Sequence, residues 1–222
     1  MRAPSAPGGE APLDCPLCPR LVAFRDVNRA AEPDWFNAPV PSFGDPRARL
    51  LVVGLAPGLR GANRTGRPFT GDYAGDLLYA TLLKFGFARG SYGADPGDGL
   101  TLAGAMISNA VRCVPPQNKP TPAEIKACRP YLNARIKSLP DLTVIVALGR
   151  IAHDSTVAAL GLKAAQAPFG HAAAHNVAAG LTLIDSYHCS RYNTNTGRLT
   201  EAMFHAVFLR AQECLTASPA IA

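Results

Sequence analysis

Four apolar runs recur along the chain: RLLVVGL at 49–55, AMISNAV at 105–111, TVIVAL at 143–148 and LTLIDSY at 181–187. Each is short, rich in Val, Ile or Leu, and free of strict apolar/polar alternation. A strand with one wet face would alternate, so these read as strands covered on both faces, in a mostly parallel sheet. Between them the pattern takes a helical period over 74–87, 122–137, 150–160 and 198–213, the second led by Thr-Pro-Ala-Glu at 121–124. A further short amphipathic helix follows the turn CPLC at 15–18, and SYGADPGDGL at 91–100 is a Gly/Asp-rich excursion. Strands alternating with helices predict a three-layer α/β/α domain, whose ligands bind beyond the carboxyl ends of the strands. One domain over 13–216 is expected, with flexible tails at 1–12 and 217–222.

Composition narrows this picture a little. The 222 residues, 48% hydrophobic, suffice for one well-buried core. No apolar run approaches the roughly 18 residues of a membrane span, and the N-terminal stretch lacks a signal-peptide centre, so a cytoplasmic chain is expected, nucleoid-associated if bacterial. The 22 Lys and Arg against 16 Asp and Glu leave a formal charge of +6, which favours polyanions without naming one. Six cysteines in such a chain point to metal ligation or free thiols ahead of disulfides.

The strand ends carry the candidate chemistry. After the first run, GLAPGLRGANRTGRPFTGD at 54–72 has glycines but neither G-x-G-x-x-G spacing nor a phosphate-gripping Lys. Its cargo is Asn63, Arg64, Arg67, Asp72 and, just beyond, Asp76, set around Phe69. Such a loop can hold a flat ring against Phe69 while Arg64 and Arg67 approach phosphates; a core anchor is the equal alternative for Phe69. Cys15 and Cys18 form a C-x-x-C turn, and Cys113 stands fifteen positions before Cys128. Spacing alone favours zinc, then an iron–sulfur cluster, then buried thiols, with a structural role in each metal case. His188 is the one histidine at a strand end, and the segment after it carries Arg191 and Arg198 among small polar residues suited to phosphate contacts.

Taken together, GLAPG, GANRTGRPFTGD and GDLLY, the strand-end SNAVRCVPPQNKPT, and HCSRYNTNTGRLT resemble the uracil-DNA glycosylase superfamily. Within it they are similar to the iron–sulfur type-5 branch, from Cys15 to the last helix. The resemblance implies a four-stranded parallel sheet and a 4Fe–4S cluster on Cys15, Cys18, Cys113 and Cys128, in place of zinc. It implies excision of uracil from DNA, with other deaminated bases such as hypoxanthine or xanthine as candidate substrates. Carried onto this chain, the acid falls to Asp72 with Asp76 as fallback, and stacking falls to Phe69 beside Gly54. Base reading falls to Asn109 or Asn118, and leaving-group stabilisation to His188. DNA contacts fall to Arg64, Arg67, Ser190, Arg191, Asn195 and Arg198, the 190–197 loop filling the gap left by the base. Two departures stand out: Cys189 where the family usually has proline, and Gly58 where it often has alanine. A monomer that leaves an abasic site without a nick is expected; a non-catalytic or covalently trapping relative is the alternative.

Overall fold

The computed structural model describes residues 9–217. In chain order the elements are α1 (Pro19–Ala31), β1 (Phe43–Gly44), β2 (Leu50–Gly54), α2 (Ala62–Thr65), α3 (Tyr73–Lys84), β3 (Ala88–Arg89), β4 (Thr101–Leu102) and β5 (Ala105–Asn109). There follow α4 (Pro122–Lys137), β6 (Val144–Leu148), α5 (Arg150–Ala159), β7 (Ala174–Ala178), β8 (Leu181–Ser186), α6 (Arg191–Asn195) and α7 (Glu201–Ala217). The main sheet has the order β1-β5-β2-β6-β8-β7, and β3 pairs with β4 in a separate ribbon.

The four apolar runs form the parallel centre, β5-β2-β6-β8, as expected. The sheet nevertheless has six strands and not four, because β1 and β7 add antiparallel edges. Neither announces itself in the sequence: β1 is two residues long and β7, Ala-His-Asn-Val-Ala, is half-exposed with a polar centre.

Burial explains the missing alternation. Along the central strands Val52, Ile107, Val146 and Ile184 face one cluster with Leu78, Leu82, Phe204 and Phe208 of α3 and α7. Their neighbours Leu51, Val53, Ile145 and Leu183 face a second cluster with Leu132, Ile136 and Val157 of α4 and α5. Both faces are therefore dry and apolar side chains fill most positions, the buried polar Ser108, Asn109, Asp185 and Ser186 falling at the carboxyl ends of β5 and β8. Helix α4 starts at a capping box in which Glu124 N donates to Thr121 Oγ1 (3.3 Å) and Thr121 N donates to Glu124 Oε2 (2.7 Å).

The chain visits β2, then β5 on one side, then crosses to β6 and β8 on the other. This reversal opens a crevice at the carboxyl edge, where ligands bind in open α/β sheets. One boundary is corrected at the N-terminus. Positions 1–8 and 218–222 of the expected tails lie outside the described residues, but residues 9–12 are not a loose tail. Gly9 is buried, and Glu10 is paired with Arg112 at 3.3 Å and with Arg135. The buried guanidinium of Arg112, with the half-buried one of Arg135 beside it, demands a carboxylate, and the arm supplies it.

Candidate active site

Loops leaving β2, β5 and β8 enclose a cleft of about 290 Å3 at this edge, near the lower end of the roughly 300–1,000 Å3 typical of ligand pockets. Phe69, Asp72, Asn109, Asn118, His188, Ser190 and Arg191 all line it. Its floor is set by register, since Gly54 ends β2 opposite Asn109 at the end of β5. A Cβ at position 54 would stand 2.5 Å from both Asn109 Oδ1 and the Phe69 ring. Glycine there lets ring and amide close over the strand end.

Asn109 is 2% exposed, and its Oδ1 has no hydrogen-bond partner among the described residues. An unsatisfied buried acceptor costs about 1–3 kcal/mol, a cost that a ligand donor would remove. Asn118 sits differently: it is exposed on the cleft rim, in a left-handed conformation with φ of 56°.

Phe69 combines the two roles weighed for it, packing in the core while its ring lines the cleft, 6.1 Å from the His188 ring at an interplanar angle of 27°. Its φ of 54° is unusual for a bulky residue and has to be held by its surroundings. The holding groups are visible: Tyr92 Oη donates to Phe69 O (3.2 Å) and accepts from Gly71 N (3.3 Å), while Tyr79 Oη donates to Pro68 O (2.7 Å). The two tyrosine rings stack at 4.5 Å. At Gly75, in the first turn of α3, a Cβ would fall 1.8 Å from Phe69 O, so only glycine lets the helix sit this close.

Asp72 caps α3, its Oδ1 accepting from Gly75 N at 3.1 Å. Oδ2 lies beside Gly58 and Gly61, where Cβ atoms would stand 3.1 and 2.6 Å away. Burial raises the Asp72 carboxyl above its ordinary value against the opposing bond from Gly75, and the charge of Asp76 adds to the rise. Asp76 itself is exposed and does not line the cleft. At the opposite wall, burial pushes the His188 imidazole down to about 4, so it is neutral at pH 7. Gly149, at φ of 93°, leaves room for it, since a Cβ there would meet His188 Cβ at 3.3 Å. Asn193 Nδ2 donates to His188 O at 2.8 Å and fixes the segment that follows. Cys189, in place of the usual proline, is fully buried with its Sγ 3.5 Å from Ala74 O, and burial raises its thiol.

The residues expected on DNA divide. Arg64, Arg191, Asn195 and Arg198 are exposed, with Arg191 over the Tyr73 ring at 5.2 Å and Arg198 over Tyr187 at 4.8 Å. Ser190 caps α6, which replaces most of the expected 190–197 loop with a short helix. Arg67 is a correction. It is 3% exposed, with a bidentate pair to Asp98 (2.8 and 2.7 Å), a bond to Thr70 Oγ1 (2.7 Å), and Phe43, Tyr79 and Tyr92 rings 5.3–5.8 Å away. Its charge is spent inside the protein and does not reach a phosphate. The same contacts explain the excursion at 91–100, which supplies Tyr92 and Asp98 to brace the Phe69 loop. Sequence patterns do not single out Tyr73, Tyr92 or the 73% exposed Tyr192. Tyr73 alone carries a signal, following directly on the candidate acid.

A second cavity is lined by Cys15, Cys18, Cys113 and Cys128 with Leu21, Val111 and Tyr131. Cys18 caps α1, Cys128 lies in α4 and Cys113 follows β5. Cys15 Sγ is 3.5 Å from Tyr131 Oη, and Arg112 N donates to Cys128 Sγ at 3.3 Å. Among the described residues no three Cys, His, Asp or Glu side chains converge on one ion. The four thiols line one apolar cavity, with a backbone N–H and a tyrosine hydroxyl near two of the sulfurs.

The chain is also similar to known proteins. The profile of the "Uracil DNA glycosylase superfamily" matches residues 41–212. A "Type-5 uracil-DNA glycosylase" of Thermus thermophilus is 49% identical over 204 residues, 89% of this chain and 92% of that protein. One of Mycobacterium tuberculosis is 43% identical over 207 residues, 90% of this chain and 77% of that protein. A "Type-4 uracil-DNA glycosylase" of Archaeoglobus fulgidus is 36% identical over 114 residues, 51% of this chain and 49% of its own length. The type-5 similarity runs across nearly the whole chain and the type-4 similarity across half, so the chain belongs to the uracil-DNA glycosylase superfamily, on its type-5 branch.

Proposed function

We propose that this protein hydrolyses the N-glycosidic bond of deoxyuridine in DNA, releasing uracil and leaving an abasic site. The observation that carries the reading is the cleft itself: stacking ring, carboxylate, imidazole and unpaired amide oxygen face one chamber of base size. A stacked base cannot enter it, so the nucleotide must swing out of the duplex. The extruded ring stacks on Phe69 above Gly54. Asn109 then accepts from N3–H through its unpaired Oδ1 and donates to O4 through its amide nitrogen. Cytosine offers the opposite pattern, which would leave both amide groups unpaired. Hypoxanthine offers the same N–H and C=O edge, which extends the reading to that base.

As the C1′–N1 bond breaks, negative charge gathers on the departing ring and positive charge on the sugar. His188, neutral at pH 7, donates an N–H to uracil O2 and stabilises the first. Asp72 offsets the second and takes a proton from the water whose oxygen bonds to C1′. Its raised carboxyl suits that transfer. Arg64, Ser190, Arg191, Asn195 and Arg198 hold phosphates around the mouth. The exposed ring of Tyr192, one residue beyond Arg191, is available to fill the space the base vacates.

The four-cysteine cavity would hold a 4Fe–4S cluster through Cys15, Cys18, Cys113 and Cys128. When bound, the cluster supplies a cross-link between the N-terminal arm and the segments after β5 and in α4. The thiol arrangement and the type-5 similarity support this.

The test is single-turnover release of uracil from a defined duplex. His188→Ala should slow it by roughly 10²–10³-fold. Asp72→Asn, which keeps the cap on Gly75, should slow it by roughly 10²-fold or more. Both variants should bind the duplex as the parent does; full activity in either removes that residue from the chemistry.

A further inference from the structure

Trp35, the chain's one tryptophan, lies outside every role assigned so far. It is half-buried in the turn after α1, beside the exposed Arg60 and Arg64, and these three with Gly71 line a cavity of about 370 Å3. Gly71 directly precedes Asp72, so this cavity opens one residue from the cleft wall. The corner is rigidly built. Phe36 N donates to Arg64 O and Asn37 N to Asn63 O, both at 3.0 Å, zipping the Trp35 turn onto α2. The buried amides Asn37 and Asn63 bond each other at 2.9 Å beneath it. Arg64 is pre-positioned as well: its Nε donates to Arg60 O at 3.0 Å, and a Cβ on Gly71 would stand 2.8 Å from its Nη2.

An aromatic side chain sharing a cavity with two arginines, neither in an ion pair among the described residues, is what successive nucleotides of one strand need. The base finds a stacking surface and the phosphates find cations. The adjoining cavity of about 440 Å3 shares Trp35 and Arg64 with this one but adds Asp34 and Asp95, whose charges disfavour a phosphate on that side.

Resting on the reading of the cleft as a glycosylase site, we infer that Trp35, Arg60 and Arg64 form a second nucleotide subsite. It takes a nucleotide of the damaged strand next to the extruded one, with its base against Trp35 and its phosphate on the two arginines.

The single tryptophan makes the test direct. Its emission is followed while full-length protein is titrated with a duplex carrying a cleavage-resistant 2′-fluoro-deoxyuridine, with binding read independently by anisotropy. Quenching that saturates together with the anisotropy is expected. Trp35→Ala should weaken binding about 10-fold, and Arg60→Ser with Arg64→Ser should lower the salt slope of log Kd by about 0.9 for each phosphate no longer neutralised. The arginine pair is exposed, so this arm is independent of any packing loss at Trp35. Unchanged emission at saturation, or unchanged affinity and salt slope in the arginine variant, overturns the subsite. Uracil release by the parent protein is measured alongside: its absence sinks the glycosylase reading, whereas its presence without quenching sinks only the subsite.

Discussion

Phe69 pairs an awkward backbone with a demanding position, and Tyr92 is the side chain that reconciles them. The hydroxyl of Tyr92 bridges Phe69 O and Gly71 N, the two ends of the left-handed kink, from an otherwise buried stack on Tyr79. Tyr92→Phe removes both bonds and little volume. It should lower the rate of uracil release about 10-fold while leaving duplex Kd and melting temperature nearly unchanged; a parallel loss of stability would mark Tyr92 as a fold residue only. At this scale the sequence is legible where chemistry sits on a reactive group and opaque where it sits on an absence. Asp72, Asn109 and His188 stand out as a carboxylate, an amide and an imidazole at strand ends. The need for glycine at 54 and 75 comes from atoms tens of residues distant, or from a carbonyl that a local kink aims at the helix. Asp72 and Asp76 look alike in sequence, and only the start of α3 separates them, turning one into the cleft and the other to solvent.

Among the elements, the central strands are readable because burial on both faces makes their middles apolar and keeps polar residues to the strand ends. The edge strands are not, since pairing with a neighbour needs no apolar run. Arg67 shows the same limit in the other direction. A loop arginine near the candidate acid reads as a phosphate ligand, yet the excursion between α3 and β4 folds Asp98 and Tyr92 onto it. Removing one partner of a buried pair strands the other, so Arg67→Ala should cost about 3–5 kcal/mol of stability. Urea unfolding should show that loss, and the salt dependence of duplex binding should stay as in the parent. A reduced salt slope with stability intact would return Arg67 to the DNA face.

For the molecule as a whole, the N-terminal arm is tied into the domain twice, through the thiol cavity and through Glu10. Protein prepared without oxygen should carry about four iron atoms per chain and absorb broadly in the visible, as iron–sulfur clusters held by four thiolates do. Cys113→Ser should lose the iron and colour together with melting temperature; stoichiometric zinc in the parent would overturn the cluster. The four cysteines are readable from spacing and family likeness, while Glu10 is hidden in a stretch of Pro, Gly and Ala that resembles any loose end. That carboxylate has a practical corollary for anyone shortening the chain. A version starting at Pro12 would retain every strand and all four thiols, yet leave the fully interior guanidinium of Arg112 without its counter-ion, one peptide bond away from Cys113. Trimming what looks dispensable would thus put an unbalanced charge against the sulfur-lined wall.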